Sequence, residues 1–394
     1  MNKLKTPLLL SCIAIFLFSC QNQAENKVEI TYEKGTFGYN LERLQAIEGL
    51  EVLENGDAII AVSGPFQARI LTSSAKGKAG KSYGWVNLEM IEKGEQDSTM
   101  AYMGGESRMW FAPEWGPNSL FFPKGVVQVD STMRAPHDLN HKKFTEINRT
   151  INSLTFGGQL QLHNNNDYIF KLDVERTITL LSKEEIEKNL GITLSSKLAH
   201  VGFSATTSAK NIGKEQFTQA NGLVSIWELG CMLTSPDTRV ILPLSEATDS
   251  ITEYFTPIAD RVIIQDEVVY YKSDATGINK IGIPPQYAKN VMGSYSPANQ
   301  LLNIATFSLT KDGVFVNSVP KNTTPYQGDV INIFNGNPEI PFYEFESSSS
   351  AKELKPQEKM QHQQTTYHFE GSEVALDEIA QTVLGVSLKE IPEF

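Results

Sequence analysis

Two acidic side chains near the C-terminus could carry out acid–base chemistry. Glu344 and Glu346 lie in an apolar run with strand character, and side chains two positions apart, about 7 Å of strand rise, share a strand face. His362 and His368 share one face of the next predicted strand, after a turn at Pro356. If the two strands pair with these faces aligned, one group can accept a proton while another donates one. An ordinary half-exposed strand has the same alternation, so that alternative stays open.

A second group of polar and aromatic residues lies between positions 104 and 116. It supplies the candidate substrate-binding side chains Glu106, Arg108, Trp110, Glu114 and Trp115, of which the first three alternate onto one strand face. Charged groups can bond to sugar hydroxyls, and an indole can stack on the C–H face of a pyranose. Trp227, in a predicted strand over 221–228, is a further candidate. The alternatives are an ion pair beside a core tryptophan and core packing of Trp227.

The elements that must position these residues read as short strands. Apolar runs alternate with turn signals about every ten residues, which is typical of an antiparallel β-sandwich. Asn55-Gly56 predicts a hairpin between strands near 51–54 and 58–61. Lys311-Asp312-Gly313 predicts another, between 305–307 and 314–316.

Helical signals are few. Ser182 and Glu185 form a capping-box pattern ahead of a short helix that Gly191 ends. Ser372 is positioned to cap a helix with one apolar side, which ends before Gly385. The sequence therefore predicts one all-β fold with a few short helices.

Two polar segments could be mistaken for metal sites. His137 and His141 have the spacing of zinc ligands on a helix, but Pro136 and the intervening Asp and Asn favour a loop. The run 164–167 of three asparagines and an aspartate has oxygens suited to calcium, yet it reads first as a turn between two strands. No metal and no cofactor are predicted.

The N-terminus has the pattern of an exported lipoprotein. Residues 1–19 combine two lysines with an apolar run too short to span a bilayer, which indicates a signal peptide. Cys20 follows a small residue at the expected cleavage point and is the predicted lipidation site; an ordinary cleaved signal is the alternative. Residues 20–27 then form a tether, and residues 28–394 form a single domain. The predicted location is the bacterial cell envelope, on the periplasmic side or the outer surface, with membrane contact through the lipid anchor only.

Charge, cysteine content and missing motifs argue against several classes of function. The formal net charge of −12 becomes −14 once the two lysines of the signal leave, so nucleic acid is not expected as a partner. Cys231, the cysteine left after cleavage and acylation, has an apolar sequence context and is expected to be buried and structural. Phosphate-binding glycine loops, CxxC pairs and a GxSxG elbow are missing, which argues against nucleotide hydrolysis, zinc ribbons and common esterases.

Several stretches together resemble a family. They are residues 104–116, 221–236, 342–348, 354–356 and 368–371. The chain is similar over about 28–394 to an uncharacterised group of bacterial envelope lipoproteins, similar in turn to the galactose mutarotase (aldose 1-epimerase) superfamily. This resemblance implies an antiparallel β-supersandwich with a concave, sugar-binding face.

The resemblance also implies a catalytic glutamate near the C-terminus and a mid-chain histidine that protonates the ring oxygen. Glu346 best matches the glutamate, and Glu344 is the alternative if the register differs. Between His200 and His362 the sequence has no histidine, so the implied acid is missing from its segment. His362, His368 or His163 could supply the proton from another strand.

Two functions follow, and both need the same geometry. The first is carbohydrate processing, by epimerisation or glycosidic-bond chemistry, with mono- or oligosaccharide as the partner. The second is non-catalytic glycan binding, and a third possibility is a scaffold that needs no groove. An enzyme requires a recessed Glu346 with a raised pKa near a proton donor, in the same hollow as Arg108.

Overall fold

Antiparallel strands make up most of the structure, a computed structural model that describes residues 31–94 and 103–394. The predicted signal peptide over 1–19, the lipidation site at Cys20 and the tether over 20–27 lie outside the described residues. Every strand pair in the three sheets of the described residues is antiparallel. The prediction of an all-β antiparallel fold with a few short helices is confirmed.

The strands of the described residues are numbered in chain order. They are β1 (Leu50–Asn55), β2 (Ala58–Ser63), β3 (Arg69–Ser74), β4 (Arg108–Ala112), β5 (Thr145–Arg149), β6 (Ser153–His163), β7 (Ile169–Leu180), β8 (Ala199–Asn211), β9 (Ser225–Leu233), β10 (Arg239–Pro243), β11 (Thr252–Glu253), β12 (Val262–Gln265), β13 (Val268–Lys272), β14 (Asn279–Ile283), β15 (Val291–Ser296), β16 (Leu301–Phe307), β17 (Ile331–Asn337), β18 (Ile340–Ser348) and β19 (Lys359–Glu370).

These strands form three sheets. One has three strands in the order β1-β2-β3. One has ten, in the order β12-β13-β10-β15-β16-β19-β8-β7-β6-β5. The third has six, in the order β11-β14-β17-β18-β9-β4. The α-helices are α1 (Phe37–Leu44), α2 (Leu88–Glu92), α3 (His137–His141), α4 (Lys183–Leu190) and α5 (Glu373–Val383).

The two larger sheets pack face to face. Tyr343 and Phe345 of β18 share a buried apolar cluster with Tyr271 of β13 and Met292 of β15. Because side chains alternate along a strand, the other face of β18 points away from this core. That second face carries Phe342, Glu344 and Glu346.

Both predicted helices are confirmed, and they cover the outer face of the ten-stranded sheet. Helix α4 has the capping box of Ser182, and helix α5 begins after the Ser372 cap. Ile186 and Leu376 join a cluster with Tyr367 of β19. Burying these apolar faces against the sheet stabilises helices that are short on their own.

Two of the turn predictions are confirmed and one is wrong. The Asn55-Gly56 hairpin is confirmed as the β1–β2 pair, and the turn after Leu162 joins β6 to β7. The second hairpin is wrong, because Val314 bridges to Ala351 and Phe315 to Gln327. Both edges of β16 are already paired, with β15 and β19, so the segment after the turn finds other partners.

The predicted pairing of the two polar C-terminal strands is also wrong. Strand β18 lies between β17 and β9 in the six-stranded sheet. Strand β19 lies between β16 and β8 in the ten-stranded sheet. The segment between them crosses from one sheet to the other, so the two strands are not neighbours.

The histidine pair predicted to lie in a loop forms the short helix α3. The rings of His137 and His141 lie 4.7 Å apart between centroids. Among the described residues, no three histidine, cysteine or carboxylate side chains cluster as metal ligands would. A search of the same residues for a helix long and apolar enough to span a bilayer finds none.

Candidate functional site

A pocket of about 450 Å³ lies on the face of the six-stranded sheet opposite the cluster that contains Tyr343 and Phe345. Five of the six strands contribute side chains to it: Arg108 and Trp110 from β4, Trp227 and Leu229 from β9, Lys280 from β14, Phe334 from β17, and Phe342, Glu344 and Glu346 from β18. Loops add Glu114, Trp115, Asp130, Met133, Phe255, Thr256 and Ile278. The strand contributions follow the two-residue alternation of a pleated sheet.

Glu346 is fully buried at the base of the pocket and bonds to two neighbours. Lys280 Nζ donates to Glu346 Oε2 at 2.7 Å, and the indole N–H of Trp227 donates to the same oxygen at 2.9 Å. Burial raises the pKa of Glu346, Lys280 opposes the rise, and Glu344 adds to it. The carboxyl group is therefore a better base than an ordinary glutamate, and it lies beside a proton-carrying ammonium group.

Lys280 is itself almost completely buried. Burial alone would lower the pKa of its ammonium group, but Glu346 and then Glu114 raise it above its ordinary value. The ammonium also lies 4.7 Å from the ring centre of Trp227. These contacts keep a positive charge stable inside the pocket.

A second ion pair involves Glu344, two residues before Glu346 on the same face of β18. Arg108 donates to Glu344 Oε1 at 3.0 Å, and the Cys231 thiol donates to the same oxygen at 3.1 Å. The guanidinium carbon lies 4.0 Å from the ring centre of Trp110. Burial acts to lower the pKa of Arg108, but Glu344 and Cys231 raise it overall. Cys231 is buried as expected, and burial together with Glu344 holds the pKa of its thiol well above the usual value.

Glu114 differs from these paired acids. The side chain of Glu114 lines the pocket, and the residue as a whole is 6% exposed to solvent. In the described residues, its carboxylate has no hydrogen bond or ion pair. Burial raises the pKa of Glu114 to about 7, with Lys280 opposing the rise and Glu346 adding to it.

Several buried polar atoms of the pocket residues have no hydrogen-bond partner within the described part of the chain. They are Arg108 Nε, Glu346 Oε1 and the indole nitrogens of Trp110 and Trp115. A buried donor or acceptor without a partner costs free energy. A polar ligand in the pocket would supply the missing partners, so the site is suited to a molecule with both hydroxyl groups and an apolar face.

The structure brings together most of the residues predicted from the sequence. The pocket contains Arg108, Trp110, Glu114, Trp115, Trp227, Glu344 and Glu346. The three tryptophans also belong to the large core cluster, so the core-packing alternative for Trp227 holds alongside its place in the pocket.

Glu106 lies outside the pocket, and its predicted common face with Arg108 is wrong. Its carboxylate accepts a bond from the Ser73 N–H at 3.1 Å, and Ser107 bridges to Ile70. The chain here pairs with β3, and the alternation of β4 begins only at Arg108. Burial raises the pKa of Glu106 to about 8.

His362 and His368 do not line the pocket, because β19 belongs to the other sheet. His362 Nε2 lies 2.7 Å from Ser347 Oγ, and His368 Nδ1 lies 2.7 Å from Asn303 Oδ1. Burial lowers the pKa of both imidazoles to about 3, with Arg176 adding to the effect on His362. Both are therefore neutral, hydrogen-bonded residues between the sheets.

Lys280 is the most important residue that the sequence analysis did not select. It lies in β14, where Ile281 and Ile283 alternate with it, and a lysine inside a strand with isoleucine at alternate positions was the available signal. The aromatic residues Phe255 and Phe334 and the acidic Asp130 were also missed. These residues come from segments far apart in the chain, and their convergence depends on the order of the strands in the sheet.

Solved structures similar to this chain include two proteins with related descriptions. A putative aldose 1-epimerase from Escherichia coli K12 has 11% sequence identity and a TM-score of 0.49, over 81% of this chain and 98% of that chain. A galactose mutarotase-like protein from Lactobacillus casei ATCC 334 has 10% identity and a TM-score of 0.49, over 81% of this chain and all of that chain.

A comparison with curated proteins finds no match. The model of one protein family matches residues 35–394, which is most of the chain. That family is described as a family of unknown function, DUF6786. The chain belongs to the DUF6786 family.

Proposed function

We propose that this protein is an envelope lipoprotein that binds a carbohydrate in the pocket and processes it by acid–base chemistry at Glu346. The observation that carries the proposal is a recessed carboxylate with a raised pKa, 2.7 Å from the Lys280 ammonium, among several aromatic side chains. Indole and phenyl faces suit the C–H faces of a sugar ring, and the charged groups suit its hydroxyls.

In this proposal Glu346 exchanges a proton with a sugar hydroxyl. Lys280 takes the place of the histidine that the family resemblance implies. The charge of Glu346 holds the ammonium pKa up, so once Glu346 has accepted a proton, burial favours release of a proton from Lys280. Arg108 and Glu344 hold the ring in position. Epimerisation and glycosidic-bond chemistry both need this exchange of protons between a base and an acid.

Non-catalytic glycan binding is the second candidate. The observation that favours it is the aromatic lining, with Trp110, Trp115 and Trp227 on one pocket. Stacking of a sugar on these rings needs no proton transfer. In that case the ion pairs of Glu344 and Glu346 serve only to fix the shape of the site.

A sugar panel and one isosteric variant distinguish these candidates. Binding of neutral mono- and oligosaccharides is measured by calorimetry, and anomer exchange or bond cleavage is followed by NMR. Glu346→Gln keeps the shape but removes the base, so an enzyme should lose about 100-fold or more in rate. Glu370→Gln, at the end of β19 and outside the pocket, is the matched control.

Each outcome has a definite meaning. Conversion by the wild type and the control, with loss in Glu346→Gln, supports processing. Equal binding by all three proteins without conversion leaves glycan binding alone. If no sugar binds, both candidates fail. Attachment to the membrane is tested separately, by incorporation of labelled fatty acid into the full chain and its loss in Cys20→Ser.

A further inference from the structure

The charges that line the pocket do not balance. Its two cations, Arg108 and Lys280, are each paired with a glutamate, at 3.0 and 2.7 Å. Two more acids, Glu114 and Asp130, line the same space. In the described part of the chain, neither of these two carboxylates has a hydrogen bond or an ion pair. The pocket therefore has more acidic than basic side chains, and both of its basic side chains are already paired.

Glu114 is held in place by its backbone. It follows Pro113 directly after β4, and its N–H donates to Ser318 Oγ at 3.0 Å. Its carbonyl oxygen accepts a bond from the Ser119 hydroxyl. The side chain is thus fixed at the pocket wall while its carboxylate stays unpaired. A buried carboxylate without a partner destabilises the folded protein, and a bound cation would offset that cost.

An indole beside Glu114 gives independent support for a cationic ligand. Arg108 lies over the ring of Trp110, and Lys280 lies over the ring of Trp227. Among the described residues, no cationic side chain lies over the ring of Trp115, although this ring also lines the pocket. A cation is attracted to the face of an indole, most strongly where water is excluded. Within the described chain, Glu114 and Trp115 thus bring to the pocket a carboxyl group without a partner and an indole that packs on Phe122 and has no cation over it.

We propose that the pocket selects a sugar that carries a free, protonated amino group, with the ammonium at Glu114 and Trp115. This inference rests on the proposed carbohydrate function and adds the class of sugar. Sugars that carry a phosphate or a carboxylate are rejected. Their negative charge would meet the excess acids, and the charges of Arg108 and Lys280 are already balanced by Glu344 and Glu346.

The test compares matched sugars on the full chain by calorimetry at pH 7. The gluco and galacto series each include the parent hexose, the 2-amino sugar, its N-acetyl derivative, the 6-phosphate and the uronate. The amino sugar should bind about tenfold more tightly than the parent, since its ammonium gains a charge-assisted hydrogen bond to Glu114. The N-acetyl sugar should lose that gain, and the two anionic sugars should bind more weakly than the parent.

Variants assign the effect to one side chain. Glu114→Gln should remove the preference for the amino sugar, so that the variant binds the amino sugar and the parent hexose with similar affinity. Glu54→Gln, an exposed residue of β1, is the control and should keep the preference. Far-UV circular dichroism and thermal melts verify that all variants are folded.

The possible failures are distinct. If the parent hexose binds but the amino sugar has no advantage, the inference is wrong and the proposed function stands. The same holds if the phosphate or uronate binds as tightly as the amino sugar, or if the preference survives in Glu114→Gln. If no sugar of either series binds but a neutral oligosaccharide does, the inference is wrong and the proposed function stands. If no mono- or oligosaccharide binds, both are refuted.

Discussion

Two buried ion pairs hold the two cationic side chains of the pocket, Arg108 and Lys280. Lys280 and Glu346 are both almost completely buried, so neither charge is compensated by water. A buried pair of this kind contributes little beyond what two apolar residues would, but removal of one partner leaves an uncompensated charge. The pair is therefore best explained by the function of the pocket.

We predict that Lys280→Met destabilises the protein by about 3–5 kcal/mol, because Glu346 loses its counter-charge. Glu346→Gln should cost a similar amount, since Lys280 is then unpaired. The double variant should recover at least half of either loss while its sugar-processing rate stays low. Urea unfolding of the four proteins measures these differences. Single variants as stable as the wild type would mean that the two charges are not buried together.

The strands explain which parts of the site could be predicted from the sequence. Alternation along β18 is a local property of the backbone, so it correctly grouped Glu344 with Glu346. Pairing between strands is not local. In the six-stranded sheet, β17 alone separates β14 from β18, which puts Lys280 near Glu346. His362 lies in β19, which belongs to the ten-stranded sheet. A single sequence has no signal for that order.

The helices were predictable because their signals, like the alternation along β18, are local in the sequence. Capping residues and apolar periodicity are encoded within about a dozen residues, and both α4 and α5 follow them. The partners of the helices could not be predicted. Helix α5 lies on the ten-stranded sheet, where Leu376 is fully buried while Val374 is 64% exposed.

Substitutions on the two sides of α5 should therefore differ strongly. Leu376→Ala removes buried apolar atoms and leaves a cavity, so we expect a loss of about 2–5 kcal/mol in the free energy of unfolding. Val374→Ala, the control on the exposed side, should change it by less than about 0.5 kcal/mol. Guanidinium unfolding followed by circular dichroism provides the comparison. Equal effects at both positions would show that α5 does not dock through Leu376.

The folded molecule buries ionisable groups of opposite kinds. His362 and His368 have a pKa of about 3, far below the ordinary value of 6.5, because burial disfavours the charged imidazole. Glu106 and Glu114 have a pKa of about 8 and about 7, above the ordinary 4.5, because burial disfavours the carboxylate. The two kinds of group make the stability of the whole molecule depend on pH in opposite directions.

The sign of each contribution follows from proton linkage. The stability from the depressed histidines is present above pH 6.5 and is lost as the pH falls toward 3, because the unfolded chain binds protons that the folded one does not. The stability from the raised carboxyls is present below pH 4.5 and is lost as the pH rises toward 8. From these four groups, we expect the free energy of unfolding to be highest between about pH 4.5 and 6.5.

The acid side of this profile isolates the histidines. Between pH 4.5 and 3 each should remove about 2 kcal/mol of stability, at about 1.4 kcal/mol per pH unit. The His362→Gln/His368→Gln variant should therefore have a flatter acid limb, whatever its stability at neutral pH, because the slope counts only the protons taken up on unfolding. His163→Gln, an exposed position at the end of β6, should keep the wild-type slope. Urea titrations at half-unit steps from pH 3 to 8 give the slopes, and an acid limb unchanged in the double variant would mean that the two imidazoles are accessible to protons in the folded protein.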